Sequence, residues 1–223
     1  MNILITGAGR GIGLELASHY QALGHQVLGT VRSKQHKAAL ETKGIRALEL
    51  DLTQQHSVLE LAEALKGQAL DLIVNNAGVL HAEADLDEVD AFNFAHCIQV
   101  NSLGPLLLSR ALLPNLLAGK AKKLAFISSL MGSVGDNGSG GYYSYRASKA
   151  ALNAVAKSLA VDLAPEGVRV GLYHPGWVQT DMGGPRALID TATSVAGLTQ
   201  RIEELDEAAS GRFLNYDGKP LPW

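Results

Sequence analysis

The sequence predicts an α/β fold: a single-domain, doubly wound parallel sheet of about seven strands with helices on both faces. Three observations carry this expectation. Short apolar runs alternate with longer helical patterns along the chain. Several of those runs are apolar almost throughout, as in strands covered on both faces. The length of 223 residues, 47% hydrophobic and 18% charged, suits one globular domain with a sizeable core.

Taken in order, the expected strands are Asn2–Thr6, Gln26–Val31, Ile45–Leu50, Leu70–Asn75, Lys123–Ser128, Val168–Tyr173 and Phe213–Tyr216. Between them lie helical stretches at Gly11–Leu23, Lys34–Lys43, Gln54–Lys66, Asp87–Leu117 and Tyr142–Leu163, with a further helical cluster near Asp190–Glu207. Asp51 and Thr53 stand where a cap is needed before the 54–66 helix. Small residues at Ala147, Ala150, Ala151 and Ala154 suit close packing of the 142–163 helix. Strand–helix–strand repetition implies right-handed crossovers and a parallel sheet.

Composition excludes several classes of function. A net charge of −3 from 19 basic and 22 acidic residues is too balanced for a nucleic-acid or polybasic membrane binder. No run reaches the length of a membrane span; Leu103 to Leu117 is broken by Gly104, Pro105, Arg110 and Pro114. One cysteine, Cys97, leaves no internal disulfide framework and suits a reducing compartment. The opening Met1-Asn2-Ile3-Leu4-Ile5 has no leader character, so a cytoplasmic location is expected. His81, His96 and Cys97 lack convincing metal-ligand spacing, and no metal is expected.

The first expected strand runs into Thr6-Gly7-Ala8-Gly9-Arg10-Gly11-Ile12-Gly13. Gly7 permits a sharp turn, Gly11 lets a phosphate reach the backbone, and Gly13 lets the next helix start close to the sheet. The helix start then offers N–H groups and a dipole to a pyrophosphate, which is the Rossmann-like arrangement. Coenzyme choice should be read at the end of the second strand, Gly29-Thr30-Val31-Arg32-Ser33. It holds no acid for a free ribose. Arg32, with Arg10 in the turn, would bracket a 2′-phosphate, which favours NADP(H). Asp51, beside Leu52, would accept from an adenine amino group or cap a helix; both roles stay open.

A second pattern is Tyr145 with Lys149 four residues on, sharing a helix face. A nearby ammonium favours phenolate, so Tyr145 is expected to titrate below its usual value of about 10 and to serve as proton donor. Either pattern alone would arise by chance roughly 0.3 times per chain; order and context make them specific. Ser128-Ser129 ends a strand upstream, and Asn75-Asn76-Ala77-Gly78 ends another on the same carboxyl edge. Asn101 interrupts the long helical pattern before Gly104-Pro105, and His174-Pro175-Gly176-Trp177 follows the sixth strand. If the strand alternates, one of the two serine hydroxyls faces the site, and Ser129 is taken. His174 is read as structural; Trp177 either walls a pocket or packs.

In this order the residues resemble the short-chain dehydrogenase/reductase family, from Ile3 to about Tyr216. The resemblance implies Tyr145 as general acid/base, Lys149 as its pKa-lowering and ribose-binding partner, and Ser129 as the group orienting the carbonyl. It implies that Asn101 supports a water linking Lys149 to solvent. It places Asn75, Ala77 and Gly78 beside the cofactor, with Pro175, Gly176, Val178 and Thr180 along the nicotinamide. The stretches Gly141–Lys149, Pro175–Gly184 and Phe213–Gly218 are similar to sniffer-type carbonyl reductases and C-factor-like proteins. That implies NADPH-dependent reduction of aldehydes and ketones within a single NAD(P)-binding catalytic domain over 1–223. It also implies a homodimer or homotetramer built through the two long helices. The alternative is an NADP-binding signalling or regulatory protein with weak or no turnover. Ser129 and Tyr145 stand 16 residues apart, more than is common in the family. The extra residues form a glycine-rich loop, so substrate selection is expected from about 130–141, with a lid at about 182–207.

Overall fold

The computed structural model describes residues 1–223. Seven strands form one parallel sheet: β1 (Asn2–Ile5), β2 (Gln26–Val31), β3 (Arg46–Glu49), β4 (Leu72–Asn75), β5 (Lys123–Ile127), β6 (Arg169–His174) and β7 (Phe213–Asn215). Their spatial order is β3-β2-β1-β4-β5-β6-β7. The order reverses between β1 and β4, where Ile5 pairs with Val74. In such sheets a crevice opens at that point, beyond the carboxyl ends of the strands.

Strand alternation explains the two cores. Leu4, Leu28, Ile73, Phe126 and Leu172 face one side. There they meet α3 (Gln55–Ala64), α5 (Gly104–Ala111), α6 (Leu113–Ala118) and α7 (Tyr143–Asp162). Ile3, Ile5, Val27, Val74, Ile127 and Tyr173 face the other, against α1 (Gly11–Ala22), α2 (Lys34–Glu41) and α8 (Thr191–Glu203). Both sets are almost completely buried, which is why the strands read as continuous apolar runs.

Three expectations need correction. The single helix expected over 87–117 is divided into α4 (Ala91–Ile98), a π-helical turn at Gln99–Leu103, α5 and α6. Asp90 caps α4 by accepting the Asn93 N–H at 2.8 Å, and prolines open both α5 and α6. Asp51 is not the cap of α3. That position falls to Gln54, while Asp51 Oδ1 accepts both the N–H and the hydroxyl of Thr53 in a tight local turn. The 182–207 segment is not one lid. Val195, Leu198 and Ile202 bury α8 in the core. No helix is long and apolar enough to cross a membrane.

Candidate active site

A cleft of about 530 Å³ opens at the β1/β4 reversal. The glycine turn forms its floor: Gly7, Gly11, Ile12 and Gly13 line it, and Arg10 stands at its rim. Gly7 has φ +64° and lies against Ala77, leaving no room for a side chain. A Cβ on Gly13 would collide with the Gly7 carbonyl and reach Asn76 Nδ2 at 2.5 Å. The turn is stapled from both neighbours. Ala8 N–H donates to the Thr30 carbonyl at 3.0 Å, and the Asn76 amide donates to the Thr6 carbonyl at 2.9 Å. Thr6 Oγ1 accepts the main-chain N–H groups of Asn76 and Ala77, each at 3.0 Å.

Of Asn75, Ala77 and Gly78, expected beside the cofactor, Ala77 and Gly78 line the cleft, while the Asn75 side chain is buried and neither of its polar atoms has a partner. Asn76, one step along the alternating chain, takes the place at the wall. Gly78 also lines the cleft; a Cβ there would stand 3.2 Å from Asn101 Oδ1 and 3.6 Å from Lys149 Nζ. At the far end Arg32, Asp51, Leu52 and His36 form the wall. His36 packs on Gly9; sequence reasoning passed over it because it lies inside a helix rather than at a strand end. Pro175 and Thr180 close the opposite side, while Val178 is buried behind them and pairs with Ile189. Gly176 does not line the cleft; with φ +86° it turns the chain against Tyr216 and Ile189. Trp177 braces the 175–190 crossover through its indole N–H to the Gly183 carbonyl, at 2.8 Å.

The reacting groups come from α7 and β5. Tyr145 and Lys149 both line the cleft and are nearly buried. Lys149 Nζ donates to the Ile127 carbonyl at 2.9 Å and lies 5.7 Å from the Tyr145 ring centre. The expected lowering of the Tyr145 pKa is not found. Burial pushes the phenol up to about 12, against a Ser129 hydrogen bond that favours its ionised form. Burial likewise pulls the Lys149 ammonium down to about 8. The sequence shows the spacing of this pair but not how much water the fold removes from it. His174 is pulled down to about 4 by burial and the Lys149 charge, so it is neutral at pH 7.

The two serines diverge as strand alternation requires. Ser129 stands beside the Tyr145 phenol and accepts the Met131 N–H at 3.2 Å. Ser128, which rather than Ser129 lines the cleft, turns its hydroxyl to Asn153 Oδ1 at 2.5 Å. Asn101 is fully buried within the π-helical turn. Its side chain bonds both the N–H and the carbonyl of Val79 at 2.8 Å, and it donates to Ser148 Oγ at 2.9 Å. Ser148 Oγ donates in turn to the Tyr145 carbonyl at 2.8 Å, tying Asn101 to the tyrosine's own helical turn. His81 Nε2 and His96 Nδ1 come within 3.2 Å of each other, a pair that sequence spacing did not bring together.

A switch-point cleft with a glycine cradle, a buried Tyr–Lys pair and a facing serine defines an oxidoreductase of the single-domain dinucleotide-binding class. The sequence model described as short chain dehydrogenase matches residues 1–188, and the chain belongs to that family. The C-signal protein of Myxococcus xanthus is 46% identical over 154 residues, covering 69% of this chain and 93% of that protein. The 1-hydroxy-2-glutathionyl-2-methyl-3-butene dehydrogenase of Rhodococcus sp. (strain AD45) is 37% identical over 231 residues, covering 99% of each. Among solved structures, the carbonyl reductase Sniffer of D. melanogaster superposes with a TM-score of 0.93 at 37% identity, covering 100% of this chain and 99% of that one. An NADPH-bound carbonyl reductase from chicken fatty liver gives 0.92 at 33% identity, covering 100% and 98%.

Proposed function

We propose that the protein reduces the carbonyl group of an aldehyde, ketone or quinone to an alcohol, with NADP(H) as coenzyme and Tyr145 as proton donor. One observation carries this reading: the Tyr145 phenol, the Lys149 ammonium and the glycine turn open into the same cleft. Similarity to an NADPH-bound carbonyl reductase supports it.

The residues present fit such a coenzyme. The cradle over Gly7, Gly11 and Gly13 is bare backbone at the start of α1, and no side chain caps that helix. The wall beyond β2 presents Arg32, which has no ion pair within the chain, to the expected position of a 2′-phosphate. When bound, NADPH supplies the hydride. The chain's own residues do the rest. Tyr145 keeps its proton throughout the neutral range and delivers it from Oη to the substrate oxygen. Ser129 orients that oxygen. Lys149 is positioned to hold ribose hydroxyls, and Asn101 fixes the Tyr145 turn through Ser148. A protonated phenol at neutral pH supports the reductive direction. The loop over 130–141 selects the substrate; Gly132 in it lies against the Lys149 backbone. The reading includes a cytoplasmic homodimer or homotetramer, whose size light scattering would measure.

The test is to follow NADPH absorbance while aldehydes, ketones and quinones are screened. Turnover with at least one is expected. Tyr145→Phe is then expected to lower kcat by about 10²–10⁴ while the Kd for NADPH stays nearly constant. Tight NADPH binding with no turnover on any compound would replace this reading with that of an NADP-binding regulatory protein. Near-normal turnover of the variant would remove Tyr145 from its role.

A further inference from the structure

Arg10 sits in the glycine turn, where a guanidinium is placed to meet a phosphate. That guanidinium is already engaged: Nη1 is ion-paired with Asp181 Oδ2. Asp181 belongs to the 175–190 crossover, so the pair joins the two walls of the cleft, and both residues line it. The neighbouring contact joins the same walls. The Thr180 methyl lies 3.4 Å from where a Cβ on Gly11 would be. The Asp181 carboxylate answers one cation of the cleft: it occupies Arg10 and docks the crossover on the turn.

We infer that Asp181 is a specificity-determining residue for the coenzyme: it competes with the 2′-phosphate for the Arg10 guanidinium and so sets how tightly the phosphorylated coenzyme is held. This rests on the NADP(H) reading above. The Arg10 and Asp181 side chains are 57% and 77% exposed, so water weakens their pairing and makes it exchangeable. A phosphate brings more charge and more acceptor oxygens to a planar guanidinium than one carboxylate does, and displaces it. Arg32 has no carboxylate in direct ion-pair contact; the acid it faces across the cleft, Asp51, is held by the N–H and hydroxyl of Thr53. The two arginines therefore divide the work. Arg32 gives a standing preference for the 2′-phosphate. Arg10 adds a contribution reduced by the cost of releasing Asp181, which also eases departure of the spent coenzyme.

The experiment is calorimetric titration of the intact protein with adenosine 2′,5′-bisphosphate and adenosine 5′-monophosphate, which differ by the 2′-phosphate alone. Asp181→Asn is expected to tighten the bisphosphate about two- to fivefold at low salt and to leave the monophosphate unchanged, with the gain shrinking as salt is added. Arg10→Gln is expected to weaken the bisphosphate. The double variant is expected to match Arg10→Gln, because Asp181 then has nothing to withhold. Equal changes for both nucleotides, no change with Asp181→Asn, or a gain that survives in the double variant would each overturn the inference. A wild-type protein with no preference for the bisphosphate would overturn the NADP(H) reading and the inference with it.

Discussion

The Lys149 ammonium donates to the Ile127 carbonyl at 2.9 Å, although the Tyr145 ring it shares a helix face with is only 5.7 Å away. Lys149 is therefore held by the end of β5, and Tyr145 by Ser129 just beyond it, rather than by each other. Both ionise less readily than in water: the phenol is pushed up to about 12 and the ammonium pulled down to about 8. Pre-organising a cation beside the proton donor thus costs folding energy, which the site recovers only when a ligand engages it.

That cost gives a pH prediction with a definite sign. Lys149 is charged below about pH 8 and neutral above it. If the ammonium is needed to engage the coenzyme, kcat/KM for NADPH, which reports the free enzyme, falls as pH rises through about 8. Stability runs the other way. With the folded pKa below the unfolded one, the cost is complete below about pH 8 and fades toward pH 10.5. Lys149→Met at pH 7 is therefore expected to abolish turnover and to raise the melting temperature by a few degrees. The shift corresponds to about 3 kcal/mol, partly cancelled by the unpaired Ile127 carbonyl. A melting temperature lowered by several degrees would show that the ammonium stabilises the fold instead.

Ser128 and Ser129 are adjacent and identical in type, yet the structure gives them different work. Ser129→Ala is expected to lower kcat by about 10²–10³, since its hydroxyl faces the phenol. Ser128→Ala removes the donor to Oδ1 of buried Asn153, whose amide keeps the Gly132 carbonyl, so it is expected to destabilise by about 1–2 kcal/mol and to cost far less turnover. Steady-state kinetics and thermal melts on both variants decide the matter. A larger kinetic loss from Ser128→Ala would exchange the assignments.

Much of this was legible in the chain, for identifiable reasons. A sheet buried on both faces leaves strands as apolar runs, so all seven strands were located to within about two residues at either end. The glycine turn and the Tyr145–Lys149 spacing are local patterns and survive as such. What was not legible depends on the third dimension. Asn75 and Asn76 cannot be assigned until the pleat at the end of β4 is fixed. Asp181 is 171 residues from Arg10, and no spacing announces their pairing. The sign of the Tyr145 shift turned on burial, which outweighs the Ser129 hydrogen bond and which no spacing in the chain reveals.

The chain's 24 glycines divide into positions that require glycine and positions that tolerate it. Gly13→Ala would drive a Cβ into the Gly7 carbonyl and Asn76 Nδ2, both part of the staple that holds the turn. Loss of NADPH affinity by more than about tenfold and a lower melting temperature are expected. Gly138, in the 130–141 loop, has nothing within 4 Å of its Cβ position and no positive φ. Gly138→Ala is expected to keep coenzyme affinity and to hold or raise stability by up to about 1 kcal/mol. Equal damage from the two would show that the cradle is not set by close approach.

Coenzyme choice is tested at Arg32. It follows β2, lines the cleft, and has no acid paired with it. Reversing its charge acts twice: Arg32→Asp removes a bidentate donor to a 2′-phosphate and supplies an acceptor for the unphosphorylated ribose hydroxyls. The ratio of kcat/KM for NADPH to that for NADH is expected to fall by about a hundredfold or more, mostly through loss of NADPH. Arg32→Ala supplies only the first effect, so it should lower NADPH efficiency without raising NADH efficiency. The two variants separate attraction of phosphate from recruitment of the ribose. An unchanged ratio in Arg32→Asp would place the phosphate elsewhere along the wall, with His36 on Gly9 the next side chain to replace.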